Sequence, residues 1–353
     1  MELIDLIKDK YRVISVVGME KNVGKTVVLN EILEQVEYEN MVVAITSIGR
    51  DGESKDIITA TDKPLIYITE GTIFATLELY IEQADIEIEI LEITDSITSM
   101  GRVIIGKAKQ DGYIQIAGPS SNNGIKKVSN KMLEFGANLV IVDGALNRVS
   151  SASPAITEAT ILSTGAVLDR NMKKVVSKTY HQVHLFSLKK VDDEYVNEII
   201  EKALFNNGVS LIDNNMKIKK LNIKTALNSS KIINKEIDDT IRYIVFSGSL
   251  TAKVINEIYE ANGGKDIIFV VRDATKIFVS ERELNLFLKL GIKFNVFDEI
   301  NLLAITINPY SPRGYSFNRI AFKEEMNKYF KNVLIYNVLE SREYLWMKLQ
   351  KRQ

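Results

Sequence analysis

A loop with two glycines, set between an apolar strand and an amphipathic helix, constrains this chain more than any other segment. Residues 16–33 read VVGMEKNVGKTVVLNEIL, with Gly18 and Gly24 in the loop and Lys25 and Thr26 opening the helix. Apolar residues then recur at helical spacing through residue 39, which predicts a helix with one buried face. A strand, a glycine loop and a helix in this order are typical of the first unit of a mostly parallel α/β sheet.

The spacing within this loop predicts phosphate binding. Residues 18–26 read G-x5-G-K-T, one residue longer than the usual P-loop pattern G-x4-G-K-[ST]. In such a loop, backbone N–H groups and the helix N-terminus point at the phosphates, and a lysine offsets their charge. The hydroxyl that follows the lysine coordinates Mg²⁺. The predicted nucleotide-binding residues are Gly18, Asn22, Val23, Gly24, Lys25, Thr26 and Val27.

The extra residue in the loop resembles one group of P-loop proteins. G-x5-G-K-T is similar to the loop of dethiobiotin synthetase and its relatives, which include ATP-dependent ligases, amidotransferase-like synthetases and partitioning ATPases. In those enzymes the loop after the second strand carries a metal-binding acid, and here that stretch reads SIGRDGES. The resemblance implies that Asp51 provides a second contact to Mg²⁺ or positions water. A solvated turn is the alternative for the same residue.

Another acidic residue follows a buried strand in NLVIVDGALNR. Asp143 comes directly after the apolar run, where P-loop proteins place the acid that holds Mg²⁺. A strand-end aspartate that caps a turn is the alternative. The predicted catalytic residues are therefore Lys25, Asp51 and Asp143, and the predicted metal ligands are Thr26, Asp51 and Asp143. The N-K-x-D motif of common GTPases is absent from the sequence, so ATP with Mg²⁺ is predicted as the cofactor.

Composition narrows the function classes. A net charge of -1 leaves no large basic field, which argues against nucleic acid as the main partner. The chain has no cysteine, so disulfides, zinc–thiolate sites and thiol catalysis are excluded. The two histidines, His181 and His184, have no acidic cluster beside them in sequence to complete a metal site. Without a signal-like N-terminus or a long apolar run, the expectation is a cytoplasmic protein that does not span a membrane.

Strand-like and helical patterns alternate along most of the chain. They predict an α/β fold, a P-loop NTPase-like and mostly parallel sheet with a second, smaller α/β domain. The alternating pattern of strands and helices is interrupted near residue 190. We therefore predict a nucleotide-binding domain over 1–190 and a C-terminal α/β domain, with a possible partner-binding role, over 191–353. Residues 71–84 have the pattern of a helix, and residues 181–188 that of a last strand of the first sheet.

Several stretches taken together resemble one family. VVGMEKNVGKT, SIGRDGE, VIVDGALNR, ILSTGAVLDRNMKKVV and AITINPYSPRGYSF are similar, in pattern and order, to the KamB-type P-loop subunit associated with lysine 5,6-aminomutase. The resemblance implies one half of a reactivating factor for an adenosylcobalamin- and pyridoxal phosphate-dependent aminomutase of amino-acid fermentation. The other half is a MutS-related ATPase. ATP would drive a switch that opens the mutase and releases damaged cobalamin.

In this interpretation, the switch is built by Lys25, Thr26, Asp51 and Asp143. The loops 118–124 and 163–169 follow strands at the same edge of the sheet and are expected to sense the γ-phosphate. NPYSPRGYSF suits either a protein interface or a rigid loop packed on its own domain. The sequence has no D-x-H-x-x-G motif, so no base-off cobalamin site is predicted.

Two other functions compete with the reactivating ATPase. One is an ATP-dependent carboxylate ligase of the dethiobiotin synthetase type, which would phosphorylate a small acid before closing an amide or ring. The other is a nucleotide-binding scaffold that docks proteins without hydrolysing ATP. The length of the C-terminal half disfavours a minimal ligase.

Overall fold

The computed structural model describes residues 2–48, 65–145, 153, 155–206, 208–223, 229–338 and 340. The chain divides into two compact units. The first comprises residues 1–179 and 301–353, and the second comprises residues 180–300. The second unit is therefore inserted into the chain of the first.

A nine-stranded sheet forms the first unit. Its strands are β1 (Val13–Gly18), β2 (Val43–Ser47), β4 (Ile73–Leu77), β5 (Ile88–Thr98), β6 (Gly101–Ala108), β8 (Leu139–Ala145), β9 (Ala159–Gly165), β17 (Leu302–Asn308) and β20 (Leu334–Tyr336). They lie in the order β20-β17-β9-β1-β8-β2-β4-β6-β5. The first seven strands in this order are parallel, whereas β6 and β5 run antiparallel to their neighbours. The predicted mostly parallel α/β sheet is confirmed.

Helices and short ladders complete this unit. The helices are α1 (Leu3–Ile7), α2 (Lys25–Tyr38), α3 (Glu78–Ile81), α4 (Asn122–Glu134), α5 (Met172–Phe186), which continues into the second unit, and α10 (Arg319–Tyr329). The short ladders pair β3 (Ile66–Ile68) with β7 (Gly112–Ile114) and β18 (Tyr310–Ser311) with β19 (Tyr315–Ser316).

Alternate residues of the central strands enter two different apolar clusters, as expected for strands covered on both faces. Ile14 and Val16 belong to a cluster that includes residues of α1 and α2. Val13, Val140 and Val142 belong to a cluster that includes residues of α4. This double coverage fixes β1 and β8 in the middle of the sheet, and their carboxyl ends meet at one edge.

The second unit is built on a five-stranded sheet. Its strands are β10 (Val209–Asp213), β11 (Ile218–Leu221), β12 (Ile241–Phe246), β14 (Ile268–Val271) and β16 (Lys293–Val296), in the order β11-β10-β12-β14-β16. β12, β14 and β16 are parallel, and β10 is antiparallel to both of its neighbours. The remaining elements are α6 (Glu194–Leu204), α7 (Ser230–Glu236), β13 (Leu250–Thr251), α8 (Ala252–Ala261), β15 (Ile277–Phe278) and α9 (Glu281–Lys289).

The structure divides the chain differently from the predicted domains 1–190 and 191–353. Residues 301–353 belong with the first unit, because β17 pairs with β9 and with β20 in the nine-stranded sheet. Residues 294–309, which have the pattern of one continuous stretch, contain β16 of one unit and β17 of the other. Strands that pair with residues far apart in sequence carry no local signal of the sheet they join. The sequence therefore does not show that β16 and β17 belong to different units.

Two predicted elements are also wrong. The expected helix over 71–84 is strand β4 followed by the single turn of α3, because every residue of Ile73–Leu77 is buried between β2 and β6. The expected strand over 181–188 lies in helix α5. The buried positions Val175, Thr179, Gln182 and Phe186 recur at helical spacing, so the segment continues the apolar face of a helix that begins before it.

No helix in the described part of the chain is long and apolar enough to cross a membrane.

Candidate phosphate-binding site

The predicted loop lies at the carboxyl edge of the nine-stranded sheet. β1 is bonded on one side to β8 and on the other to β9, with Gly18 opposite Ala145 and Ser163. The amide of Met19 donates a hydrogen bond of 2.9 Å to the carbonyl of Ser163. The start of the loop is thus held by main-chain contacts to a neighbouring strand, so its position is set by the sheet.

The backbone of the loop has two left-handed residues, Asn22 and Gly24, with φ of 65° and 95°. Consecutive residues that alternate between left- and right-handed conformations form a concave nest of N–H groups that binds anions. Gly24 is also the N-cap of α2, and its carbonyl accepts the hydrogen bond of 3.0 Å from the amide of Val28. The amides of residues 25–27 precede this first bond of the helix and are placed to bind an anion.

Gly18 is required by close packing. A Cβ at this position would lie 2.6 Å from Cγ2 of Val23 and 2.7 Å from Cδ of Lys25. Val23 is itself buried, so the loop closes over the end of β1 with an apolar side chain underneath. The stem of Lys25 then runs back across Gly18. This contact predetermines the path of the lysine side chain before any ligand arrives.

The electrostatics of Lys25 indicate an anion site. The side chain is half-buried, and burial lowers the pKa of its ammonium group below the usual 10.5. The carboxylate of Asp143 acts in the opposite direction and favours the charged form. One carboxylate offsets the cost of desolvating this cation only in part. A bound anion would therefore further stabilise the charged form of Lys25.

Asp143 and Thr26 are the described residues among the predicted Mg²⁺ ligands. Asp143 is half-buried near the carboxyl end of β8, next to Val16 of β1 and Ser47 of β2. Thr26 lies in the first turn of α2. A carboxylate and a hydroxyl are hard oxygen donors of the kind that Mg²⁺ prefers, with water completing its shell. Within the described residues, no group of three or more histidine, aspartate or glutamate side chains forms a ready metal cage. Asp51 lies outside the described residues.

The other two predicted loops take up different positions. Residues 163–169 border the phosphate loop directly, through the contact between Ser163 and Met19. Residues 118–124 lie at the end of β2, where a Cβ on Gly118 would be 2.2 Å from the carbonyl oxygen of Ser47. The structure places both loops beside strands that flank the site, and their role as sensors of the γ-phosphate stays a prediction.

One contact at the loop was missed by the sequence analysis. Asn308 ends β17, and its side-chain amide donates a hydrogen bond of 3.4 Å to the carbonyl of Asn22. Its Cβ would lie 3.4 Å from a Cβ on Gly24, and its own carbonyl is close to Gly165. Asn308 could be found from sequence only if β17 were known to pair with β9.

The NPYSPRGYSF segment is a hairpin that starts at Asn308. β18 and β19 pair around a turn in which the amide of Gly314, with φ of 79°, donates to the carbonyl of Ser311. The hydroxyl of Tyr315 donates a hydrogen bond of 2.6 Å to the carbonyl of Ala166. One side of the hairpin is therefore packed on its own unit, while Tyr310 and residues 312–314 are exposed. The packing of Tyr315 agrees with a rigid loop on its own unit, and a protein interface at the exposed side stays a prediction.

Comparisons with known proteins add little to this geometry. No family model and no curated protein matches the sequence. Among solved structures, the kinase domain of the Escherichia coli tyrosine kinase ETK is similar at 17% sequence identity with a TM-score of 0.28. The match covers 51% of this chain and 65% of that domain, so the chain spans less than two thirds of its length. On the arrangement of its own strands, loop and helix, the chain has an α/β fold of the P-loop NTPase-like type.

Proposed function

We propose that this protein binds MgATP at the loop 18–27 and hydrolyses it. The observation that carries the proposal is the half-buried Lys25, folded over Gly18 and coupled to Asp143 at the mouth of an anion-binding nest. Partial burial of an ammonium group next to the backbone amides of residues 25–27 is unfavourable unless an anion binds there, so a purely structural turn does not account for it. ATP is preferred to GTP because the sequence has no N-K-x-D motif.

Each residue of the site has a distinct part in this chemistry. The amides of residues 25–27 and the ammonium of Lys25 hold the phosphates and offset their charge. The hydroxyl of Thr26 and the carboxylate of Asp143 are the groups that would hold Mg²⁺. Mg²⁺ held by these two residues would supply positive charge to offset that of the phosphates. Asp51 is proposed as a further metal contact or water-positioning group.

The more specific proposal is that ATP turnover serves to reactivate an adenosylcobalamin-dependent aminomutase, together with a MutS-related ATPase. Its basis is the resemblance of five sequence stretches to the KamB-type subunit. In the structure, the strands of these stretches are β17, β9, β1, β8 and β2, which are consecutive neighbours in the sheet. Motifs spread over the chain thus lead to a single edge, which supports the view that they act as one site. A nucleotide-driven switch requires such a shared site.

Phosphate release from MgATP tests both levels of the proposal. The purified chain is assayed alone and with a MutS-related partner and an inactivated lysine 5,6-aminomutase, with Lys25→Ala as the blank. We expect slow release by the chain alone and faster release in the mixture, with neither in the blank. Release that depends on an added small carboxylic acid favours the ligase. Bound ATP without release under any condition favours the scaffold, and absence of ATP binding contradicts the nucleotide site itself.

A further inference from the structure

Four exposed cations lie on two segments, the start of α5 and the hairpin, and we call this set the cationic patch. It consists of Arg170, Lys173, Lys174 and Arg313. The guanidinium carbon of Arg170 lies 5.3 Å from the ring centroid of Tyr315, which joins the start of α5 to the hairpin. Helix α5 follows β9 and the hairpin follows β17, and these two strands are neighbours in the sheet. The patch is therefore built on two anchored segments and does not depend on one loose loop.

The charges of the patch are offset only in part, by the attraction between Lys174 and Asp169. None of its four cations forms an ion pair with another residue that the structure describes. The acid nearest in sequence, Asp169, already accepts the amide of Asn171 and pairs with Lys178 at 3.6 Å. The chain as a whole has a net charge of -1, so the excess of positive charge is local. Such an excess attracts anionic partners and speeds their association.

The position of the patch on helix α5 makes the positive charge costly to the protein itself. Lys173 and Lys174 lie in the first turn of α5, which carries no acidic residue. The N-terminus of a helix already bears about half a positive elementary charge, so cations there are unfavourable. Helix stability alone therefore disfavours lysine at both positions. An external anionic group that bound there would relieve the repulsion.

We propose that the cationic patch docks an acidic segment of a partner protein. The exposed ring of Tyr310 and the exposed Pro312 add apolar surface at the tip of the hairpin, and aromatic and arginine residues together are typical of protein interfaces. The four cations come from two short segments, residues 170–174 and the turn of the hairpin, a set that suits a short acidic segment better than a nucleic acid strand. The proposal is independent of nucleotide chemistry.

Fluorescence anisotropy with a fluorescein-labelled decaglutamate peptide tests this docking in the absence of nucleotide. The full-length chain is compared with Lys173→Glu/Lys174→Glu and with Arg313→Glu. The matched control is Lys126→Glu/Lys127→Glu, another exposed pair of adjacent lysines near the start of a helix, α4. Circular dichroism of each variant confirms folding. We expect binding that weakens with added salt, and a loss of about tenfold or more for the α5 pair with a smaller loss for Arg313→Glu.

The control decides between local and general attraction. Retention of affinity within about twofold by Lys126→Glu/Lys127→Glu supports the patch, since that variant removes the same net charge. Equal losses in both double variants contradict it, as does the absence of peptide binding by the parent chain. A single-stranded DNA oligonucleotide of equal charge is run in parallel. Tighter binding of this oligonucleotide, lost in the α5 variants, shows that the occupant is a nucleic acid and overturns the proposal. Because no nucleotide is present, the outcome leaves the ATP site untouched.

Discussion

The side-chain amide of Asn308 bonds the main-chain carbonyl of Asn22 at 3.4 Å, which ties the end of β17 to the phosphate loop. Asn22 is one of the two left-handed residues of this loop. Asn308 also accepts the amide of Tyr310 at 3.0 Å and so fixes the first residue of the hairpin. A single side chain thus links the shape of the anion nest to the hairpin and, through it, to the cationic patch.

Removal of this link is expected to weaken nucleotide binding more than it weakens the fold. Asn308→Ala removes both hydrogen bonds of the side chain, to the carbonyl of Asn22 and from the amide of Tyr310, each worth roughly 0.5–1.5 kcal/mol, and leaves Asn22 free to relax. We expect a fall in affinity for a fluorescent ATP analogue of about three- to tenfold, measured by titration. Asn308→Asp is expected to lose more, because it places a carboxylate beside the phosphates.

Asn301→Ala provides the control for the same strand. Asn301 precedes β17 at its other end, where its amide donates to the hydroxyl of Tyr11 at 2.9 Å. Asn301→Ala also loses two side-chain hydrogen bonds, this one and that of 3.4 Å to the carbonyl of Glu158, and it does not touch the loop. Equal affinity losses for Asn301→Ala and Asn308→Ala would mean that the effect comes from the strand and not from the contact with Asn22.

Sequence reasoning located the phosphate loop because all of its determinants are local. Gly18, Gly24, Lys25 and Thr26 lie within one short segment, and the flanking strand and helix have strong patterns of their own. Asp143 was placed next to the loop because the carboxyl ends of parallel strands share one edge. These inferences need only the chain order and the period of each element.

The contact through Asn308 depends on pairing between distant segments and was not predictable in the same way. The β17 residues Leu302–Asn308 have the same apolar character whether the strand joins one sheet or the other. The helix expected over 71–84 failed for a related reason, since burial of Ile73–Leu77 between two strands outweighs a pattern that also fits a helix. In both segments, β17 and residues 71–84, contacts with distant parts of the chain determine the structure.

Gly18→Ala tests the close packing under the loop. The added Cβ would lie within 2.8 Å of both Val23 and Lys25, so the loop and the lysine stem must move. We expect a loss of roughly 1–3 kcal/mol in the free energy of unfolding and a large loss of ATP affinity, measured by chemical denaturation and titration.

Gly248→Ala is the matched change at an open position, since a Cβ there meets no atom within 4 Å. It is expected to alter stability by less than about 0.5 kcal/mol. If Gly18→Ala behaves like Gly248→Ala in both measurements, the path of Lys25 does not depend on the packing against Gly18.

Asp143→Asn tests the assignment of the metal acid. The substitution keeps the shape of the side chain and removes the charge, so Mg²⁺ loses a ligand while the backbone nest stays intact. We expect phosphate release to fall by roughly 100-fold or more, with Mg²⁺-free nucleotide affinity changed by only a few-fold. Turnover that survives with its Mg²⁺ dependence unchanged would assign the metal to another acid, with Asp51 the first to examine.

Lys25→Met is expected to stabilise the ligand-free protein at neutral pH while abolishing ATP binding. Burial lowers the pKa of Lys25 below 10.5, so the charged side chain costs stability in the folded state and an apolar replacement of similar length removes that cost.

The sign of the pH dependence follows from the number of protons bound by the folded and unfolded chains. Between the folded pKa and 10.5 the unfolded chain binds more protons than the folded chain, so the parent protein gains stability as pH rises through this window. The advantage of Lys25→Met should therefore be full below the folded pKa and shrink toward pH 10.5, as measured by thermal unfolding without nucleotide. A variant that is less stable than the parent at neutral pH would show that attraction to Asp143 outweighs burial at this site.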